Sequence, residues 1–414
     1  MKKIHPFVSA LMLMMFISCS NDEINLPKDL ESANGNSGIR TVEEAIQIAR
    51  SSFQIRDTTM TRASLQSVEI DDVEIIKNTQ TRTSDDFSSD TLIYAVNYAD
   101  NKGFALISAN PATDALLAVT ESGSYSVKEE CDIEGFNDFM ELAMFYVRGA
   151  KHPPFNPQPD PNDTIIQYDT ITSRRFPLIM VNWGQTDPQG RFCPNGVAGC
   201  GPIAVAQILT RYEYPTSISL TYPNADMQTQ NLDWSMMKYY GSHIMLEPIG
   251  YQADSTENSI GRLCRQIGQI MNCSYNMTTP PSTSTNPAEY ANCFTALGYT
   301  HGSLTSYCYD CTKASLDSGH PLLVRGNRLS NDGPGHAWVV DGYYRQEIHK
   351  YTSIGGAIPT EELISTSMLN HVNWGWYGSY NGYFNDGVFD IVNGAGTTLY
   401  NYQYNLQYLE AYRP

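Results

Sequence analysis

Apolar positions fall into two periodic patterns along the chain. Val42, Ala45, Ile46, Ala49 and Phe53 recur at helical spacing, and Thr41 with Glu44 supplies a capping box in front of them. Short runs with strand character follow at Val68–Ile76, Leu92–Tyr98, Phe104–Ser108 and Ala115–Val119. Ile133, Phe136, Met140, Met144 and Val147 then return to the helical period. Beyond residue 170 a short apolar stretch, Pro177–Val181, leads to a helix after Cys200. A second helical pattern passes through Ile260, Leu263, Ile267 and Met271, and a Tyr-, Gly- and Trp-rich region from 336 to 414 predicts sheet. Both halves therefore predict α+β structure, with helices before strands in the second. No internal repeat is visible.

Five prolines within residues 153–161 forbid helix or central strand and predict an exposed linker. The expected division is a leader at 1–19, a small module at 20–150, a linker at 151–170 and a larger module at 171–414. Charge follows the same division. Of the net −18, most sits early: residues 19–165 carry 25 acidic against 11 basic side chains. Such a surface repels a phosphate backbone, which argues against a nucleic-acid partner. Lys2 and Lys3 precede an apolar run, Phe7 to Ile17, too short to span a bilayer and of signal-peptide length. Phe16-Ile17-Ser18-Cys19 resembles the lipobox of bacterial lipoproteins. That resemblance implies lipidation at Cys19 and export to the outer membrane or cell surface, with membrane contact only through the lipid; plain secretion is the alternative.

Candidate chemistry is confined to the larger module. In Gly199-Cys200-Gly201-Pro202-Ile203-Ala204-Val205-Ala206-Gln207 the helix is apolar on nearly every face, which predicts burial. Cys200 stands at its N-terminus, where the helix dipole and free N–H groups favour a thiolate. Cys193 is the rival nucleophile, but it lies in a loop before Pro194 with no helix to activate it. His336 opens the apolar run Ala337-Trp338-Val339-Val340 at a glycine-rich turn and is the candidate base, with His371 as the fallback. Asn373 can accept an imidazole N–H and fix the ring, and Trp374 can shield that bond. Gln185 and the Cys200 N–H can donate to an oxyanion. Gly199, Gly335 and Trp374 border this set and are the candidate substrate contacts. No metal or organic cofactor is needed. Cys308-x-x-Cys311 lacks the second pair that a zinc knuckle requires.

Taken together, Trp183-Gly184-Gln185, Gly199-Cys200 with Ala204–Ile208, Gly335-His336-Ala337-Trp338-Val339-Val340-Asp341-Gly342 and Val372-Asn373-Trp374-Gly375-Trp376 resemble the streptopain family of cysteine peptidases. The resemblance spans most of residues 41–390. It implies a papain-like catalytic domain, a helix-rich half against an antiparallel sheet half, acting on protein or peptide substrates. It also implies that the first module is an inhibitory propeptide, carried by the Val42–Phe53 helix, Tyr94–Tyr98 and Gly103–Ala109. An insertion near 345–368 is expected beside the active site. A maturation cut is expected between Lys151 and Phe176, with Arg174-Arg175 a secondary position. Two other readings use the same residues. A peptidoglycan amidase is usually compact and lacks an acidic first module, and an inactive surface-binding protein needs none of Cys200, His336, Asn373 and Gln185.

Overall fold

The capping box forms as the sequence predicts. Thr41 Oγ1 accepts from the Glu44 N–H at 3.2 Å, and Glu44 Oε2 accepts from the Thr41 N–H at 2.6 Å. Helix α1 (Val42–Arg56) starts there. A computed structural model describes residues 38–78, 90–129, 131–149, 165–220, 228–242, 251–327, 335–353, 359–389 and 406–413. The leader with Cys19, and the proline-rich residues 153–161, lie outside the described residues.

After a short helix α2 (Arg62–Gln66), strands β1 (Ile70–Lys77), β2 (Thr91–Tyr98), β3 (Phe104–Ser108) and β4 (Leu116–Thr120) form an antiparallel meander. Seven of the eight β2 residues are buried, because α1 and the helix α3 (Glu134–Gly149) both pack on this sheet. Of the predicted stripe, Ile133, Phe136, Met140 and Val147 are buried and Met144 is only half-buried; Phe139 and Ala143 join the buried face instead.

Strand β5 (Ile165–Arg175) crosses the expected boundary at residue 170. Its alternating Ile166, Tyr168, Thr170 and Thr172 carry high strand propensity, and all eleven residues pair with a later strand. The larger module then runs α4 (Cys200–Tyr212), the hairpin β6 (Ser217–Leu220) and β7 (Gln228–Asn231), α5 (Trp234–Ser242) and α6 (Tyr251–Ile270). Next come the hairpin β8 (Ser274–Asn276) and β9 (Ser282–Ser284), α7 (Glu289–Ala296), β10 (Thr300–His301), β11 (Thr305–Ser306) and α8 (Tyr309–Asp317). The sheet half follows: β12 (Leu322–Asn327), β13 (Gly335–Ser353), β14 (Thr360–Asn373), β15 (Gly382–Asn385), the short α9 (Asp386–Phe389) and β16 (Gln407–Tyr412). Mixed helix with antiparallel sheet is the predicted class.

The two modules share one sheet. Its strand order is β1-β2-β3-β4-β15-β14-β13-β12-β16-β10, so the meander of the first module continues into the second through β4 and β15. There Ala118 pairs with Phe384, Val119 with Tyr383 and Thr120 with Gly382. Side chains alternate across a strand, and β13 uses that alternation to serve two cores. Ala337 and Val339 face the core built on α4 with Ile203, Val205 and Leu209. Trp338 and Val340 face the opposite core, with Phe136 and Phe139 of α3. Helix α3 thus lies on sheet belonging to both modules.

The residues 345–368 do not lie beside the Cys200 helix. Of these, the described residues 345–353 and 360–368 form the outer parts of β13 and β14, to which β5 adds a third strand. Arg345 already stands nine residues beyond His336, roughly 30 Å along a strand rising about 3.3 Å per residue. Strand β5 also changes the status of Arg174-Arg175. Both residues pair with β13, Arg174 donates to Ile55 O at 2.7 Å, and Arg175 donates to Asp317 O at 2.5 Å. Proteases take extended, unpaired chain, and this segment is held in a ladder. In limited trypsin digestion of a full-length Cys200→Ala chain, cleavage after Arg174 should run at least about ten-fold slower than in the same chain in urea. Mass spectrometry of the fragments checks this; equal rates would refute the protection.

Candidate active site

Helix α4 buries every residue from Gly201 to Thr210, as its apolar run predicts. Gly199 precedes it at φ +93°, a backbone that L side chains rarely adopt, and an added Cβ would come within 2.9 Å of Thr283. Gly199 offers no side-chain cap, so the helix N-terminus is left open toward Cys200. The approach loop is braced from two sides. The Ala198 N–H donates to Gln185 O at 2.7 Å, and Thr283 Oγ1 of β9 donates to Val197 O at 2.7 Å. Gln185 is thereby fixed two residues from the Cys200 loop through its main chain. Its side-chain amide is half-buried and makes no hydrogen bond among the described residues.

His336 lies at the first turn-out of β13, 2 % exposed, its ring stacked 6.1 Å from Trp338. Its Nε2 meets Trp374 O at 3.2 Å. A carbonyl only accepts, so Nε2 carries the proton and Nδ1 is the nitrogen left for exchange. Cys200 and His336 titrate together. Burial alone would raise the Cys200 thiol, but the His336 charge and hydrogen bonding, with the Ala337 N–H, hold it below its ordinary value. Burial would lower His336, and the Cys200 sulfur and the Glu134 carboxylate raise it instead. The pairing thus favours the thiolate on Cys200 and the imidazolium on His336. Cys193 is pushed up by burial, as an inert structural thiol would be. Cys308 and Cys311 are joined in a disulfide ahead of α8.

Asn373 makes no hydrogen bond to His336. Its Oδ1 accepts from Gln207 Nε2 at 2.9 Å and from the Gly375 N–H at 3.1 Å, while its Nδ2 donates to Val181 O at 2.9 Å. The expected Asn–His bond is replaced by the main-chain carbonyl of the next residue. Asn373 instead ties β14 to α4 and to the Val181 segment, and so holds the Trp374 carbonyl where His336 meets it. Trp374 itself is fully buried, its N–H donating to Asn381 Oδ1 at 3.0 Å. Gly335 is exposed and pairs with Asn327 at the end of the β12–β13 ladder. His371, the fallback base, is away from the thiol: its Nδ1 bonds Asp341 Oδ1 at 2.6 Å.

Two residues outside the sequence-derived set face His336. Glu134, the first residue of α3, brings Oε2 within 3.7 Å of His336 Nδ1. Gly135 lies so close that an added Cβ would fall 2.5 Å from His336 and 2.6 Å from Trp374. Nδ1 makes no hydrogen bond of ordinary geometry, and thiol and carboxylate compete for it. The first module therefore stands over the reactive pair. A glycine directly after the first helical residue was the one signal of close approach here. Gln207, a lone polar side chain in an apolar helix, was the signal for the Asn373 bond.

A cysteine at a helix N-terminus, hydrogen-bonded to a buried histidine beneath a helix of its own N-terminal module, is the arrangement of a cysteine peptidase in zymogen form. Residues 183–384 match the Peptidase C10 family, and residues 38–145 match the Spi protease inhibitor family. The chain is a cysteine peptidase of the C10, or streptopain, family with a Spi-type inhibitor domain ahead of it. Among solved structures, a prointerpain A fragment from Prevotella intermedia with a cysteine-to-alanine mutation is similar at 21% identity. It covers 82% of this chain and 98% of its own, with a TM-score of 0.51, a likeness of fold. Active interpain A from the same organism covers 57% of this chain and 94% of its own at 20% identity and a TM-score of 0.38. No curated protein matches the sequence.

Iodoacetamide labelling of the full-length chain, mapped by mass spectrometry, should modify Cys200 at pH 6 while Cys193 stays unlabelled. His336→Ala should slow Cys200 labelling at that pH about ten-fold or more, because the thiolate loses its counter-charge. Unchanged labelling in His336→Ala would sink the pairing.

Proposed function

We propose that this peptidase is an exported endopeptidase, anchored to the outer membrane or cell surface by lipid on Cys19, and that Cys200 and His336 carry out its chemistry. The single observation that carries the reading is the hydrogen bond between Cys200, at the N-terminus of α4, and the buried His336. Cys200 Sγ attacks the peptide carbonyl carbon, and the oxygen takes up the negative charge. The Cys200 N–H and the Gln185 amide donate to that oxygen; the fixed Gln185 main chain and its otherwise unengaged amide support this role. His336 Nδ1 gives its proton to the leaving amine as the C–N bond breaks, leaving a thioester. His336 then takes a proton from water, whose oxygen attacks the thioester carbon; the C–S bond breaks, the acid product leaves and Cys200 returns as the thiolate beside the imidazolium. The Trp374 carbonyl holds His336 in the tautomer these steps need, and Asn373 acts through that carbonyl.

The first module keeps this machinery silent until it is removed. Glu134 holds the imidazolium by charge, and Gly135 lets the helix lie where a substrate backbone would otherwise run. Neither an amidase nor a binding protein on this scaffold accounts for a carboxylate of an inhibitor domain directed at His336.

On a fluorescent casein, Cys200→Ala and His336→Ala should each abolish activity after processing, since nucleophile and base act as one unit. Glu134→Gln in the full-length chain should raise the activity before any cleavage by about ten-fold, the loss of one charge-assisted contact of 1.5 kcal/mol or so. Full activity in Cys200→Ala, or a Glu134→Gln chain as latent as its parent, would each overturn the corresponding assignment.

A further inference from the structure

A second buried imidazole lies at the seam between the two modules and takes no part in the reaction. His371 of β14 is 4 % exposed, and its Nδ1 bonds Asp341 Oδ1 of β13 at 2.6 Å. Asp341 is fully buried, and its other oxygen accepts the Ile179 N–H at 2.8 Å. His371 Nε2 is buried and makes no hydrogen bond of ordinary geometry. The group facing it is Glu121 of the inhibitor domain, whose Oε1 stands 3.4 Å away. Glu121 directly follows β4. Its N–H donates to Asn381 O at 2.7 Å, one step beyond the three paired residues of β4 and β15. The other charged or titratable groups around this imidazole are Tyr383 of β15, ring against ring at 5.1 Å, Arg174 of β5 beside Tyr383, and Arg56 of α1. Arg56 donates to Glu121 O at 2.9 Å.

We propose that the His371–Asp341 pair is a receptor for a carboxylate borne on an added strand, and that Glu121 is the ligand it holds in the uncleaved chain. The site uses none of the residues around Cys200, and its biological meaning rests on the reading of the first module as an inhibitor. The chemistry selects this ligand class. Asp341 lets a buried imidazole keep its proton, which leaves a cationic N–H with no bond inside the peptidase. Beside it, β15 offers the main-chain groups of Gly382 to Phe384 to one more strand. An extended segment with an acidic residue opposite Asn381 satisfies both. When the inhibitor domain leaves, the same edge and N–H are offered to any extended acidic segment.

The fastening is linked to protons. Burial would raise the Glu121 carboxyl, but His371 and Arg56 hold it below its ordinary 4.5. A lowered carboxylate pKa gives a contribution present above about 4.5 and lost as pH falls through the bound-state value. Burial would lower His371, but Asp341 and Glu121 raise it to about 10. That contribution is full below its ordinary 6.5 and lost as pH climbs through about 10. The receptor therefore holds its ligand through the neutral range and releases it in acid.

Hydrogen exchange of the full-length Cys200→Ala chain tests this without any need for activity. The readout is protection of the β4 and β15 amides, corrected for intrinsic rate at each pH. Glu121→Gln keeps the shape and removes the charge, so at pH 7 it should speed exchange at β4 and β15 about ten-fold while α4 stays protected. Acidifying the parent to about pH 3 should speed exchange at β4 and β15 in the same direction, with no further acid response at the seam in Glu121→Gln. Glu129→Gln, an exposed carboxylate outside the seam, should match the parent. Equal protection of Glu121→Gln and parent at pH 7 overturns the proposal, and so does an unchanged acid response in Glu121→Gln. If Glu121→Gln also exposes α4, the pH series of the parent decides, and flat protection there overturns it. The casein assay tests the inhibitor reading separately, so the two can fail independently.

Discussion

A histidine withdrawn from water stays charged only if an anion meets it, and among the described residues two are buried on adjacent strands. His336 at the start of β13 meets the Cys200 sulfur, and His371 within β14 meets Asp341. Each of these partners belongs to the peptidase. Each imidazole also has a second nitrogen or a second side open toward the inhibitor domain, and there a carboxylate stands: Glu134 for the first, Glu121 for the second. The peptidase builds its cations from within, and the inhibitor domain completes their charge from outside. Two half-exposed carboxylates thus do what a large apolar interface alone cannot. They distinguish this sheet edge from any other.

The sheet makes that arrangement possible. Because β4 continues the peptidase sheet through β15, helix α3 has one unbroken surface to lie on, from Ile93 and Leu106 to Trp338, Trp374 and Phe384. Phe139 meets Phe384 edge to face at 4.9 Å, and Phe136 meets Tyr380 at 4.8 Å. These contacts fix the axial position of α3, and its first turn then falls on His336. Charge chooses the final contact, but aromatic packing determines where the helix end lies. The alternation along β13 keeps the catalytic helix on the other face, so inhibitor and nucleophile approach the same histidine without sharing a core.

What the sequence made legible follows from how local each signal is. The Thr41–Glu44 box, the α3 stripe and the buried α4 are short-range patterns; the first and last form as read, and the stripe does except that Phe139 and Ala143 are buried in place of Met144. The coming together of Cys200 and His336 was also accessible, because a helix N-terminus and a strand start each point to a cleft. The Asn373 bond was not. An Asn two residues from a histidine and next to a tryptophan suits imidazole orientation, yet the competing donor, Gln207, lies 166 residues away. Strand β5 was hidden by its neighbours. The prolines before it made the whole stretch read as linker, although its own β-branched residues called for a ladder. The seam was invisible for a different reason. Glu121 and Glu134 look like two more charges on an acidic surface, and only the pairing of β4 with β15 brings them to buried histidines.

On the proposed reading, a cut ahead of β5 is only the first part of activation. One covalent tether is lost, but the β4–β15 ladder, the aromatic contacts of α3 and both carboxylate–imidazole contacts remain. None of these depends on chain continuity near residue 165. Strand β5 lies on the peptidase side, paired along β13, so a cut ahead of it leaves the three-stranded arm whole. Departure of the inhibitor domain must then uncover Trp338, Trp374 and Phe384 together, which opposes release with the free energy of a buried aromatic cluster. What departure leaves behind is modest as an edge. Strand β15 spans only Gly382–Asn385 and runs directly into α9, too short to template long pairing with another chain. A short edge also gives little affinity by its ladder alone, so selectivity at this seam has to come from the charge beside it. The shape of the sheet explains why the inhibitor fits, and the buried histidines explain why it stays.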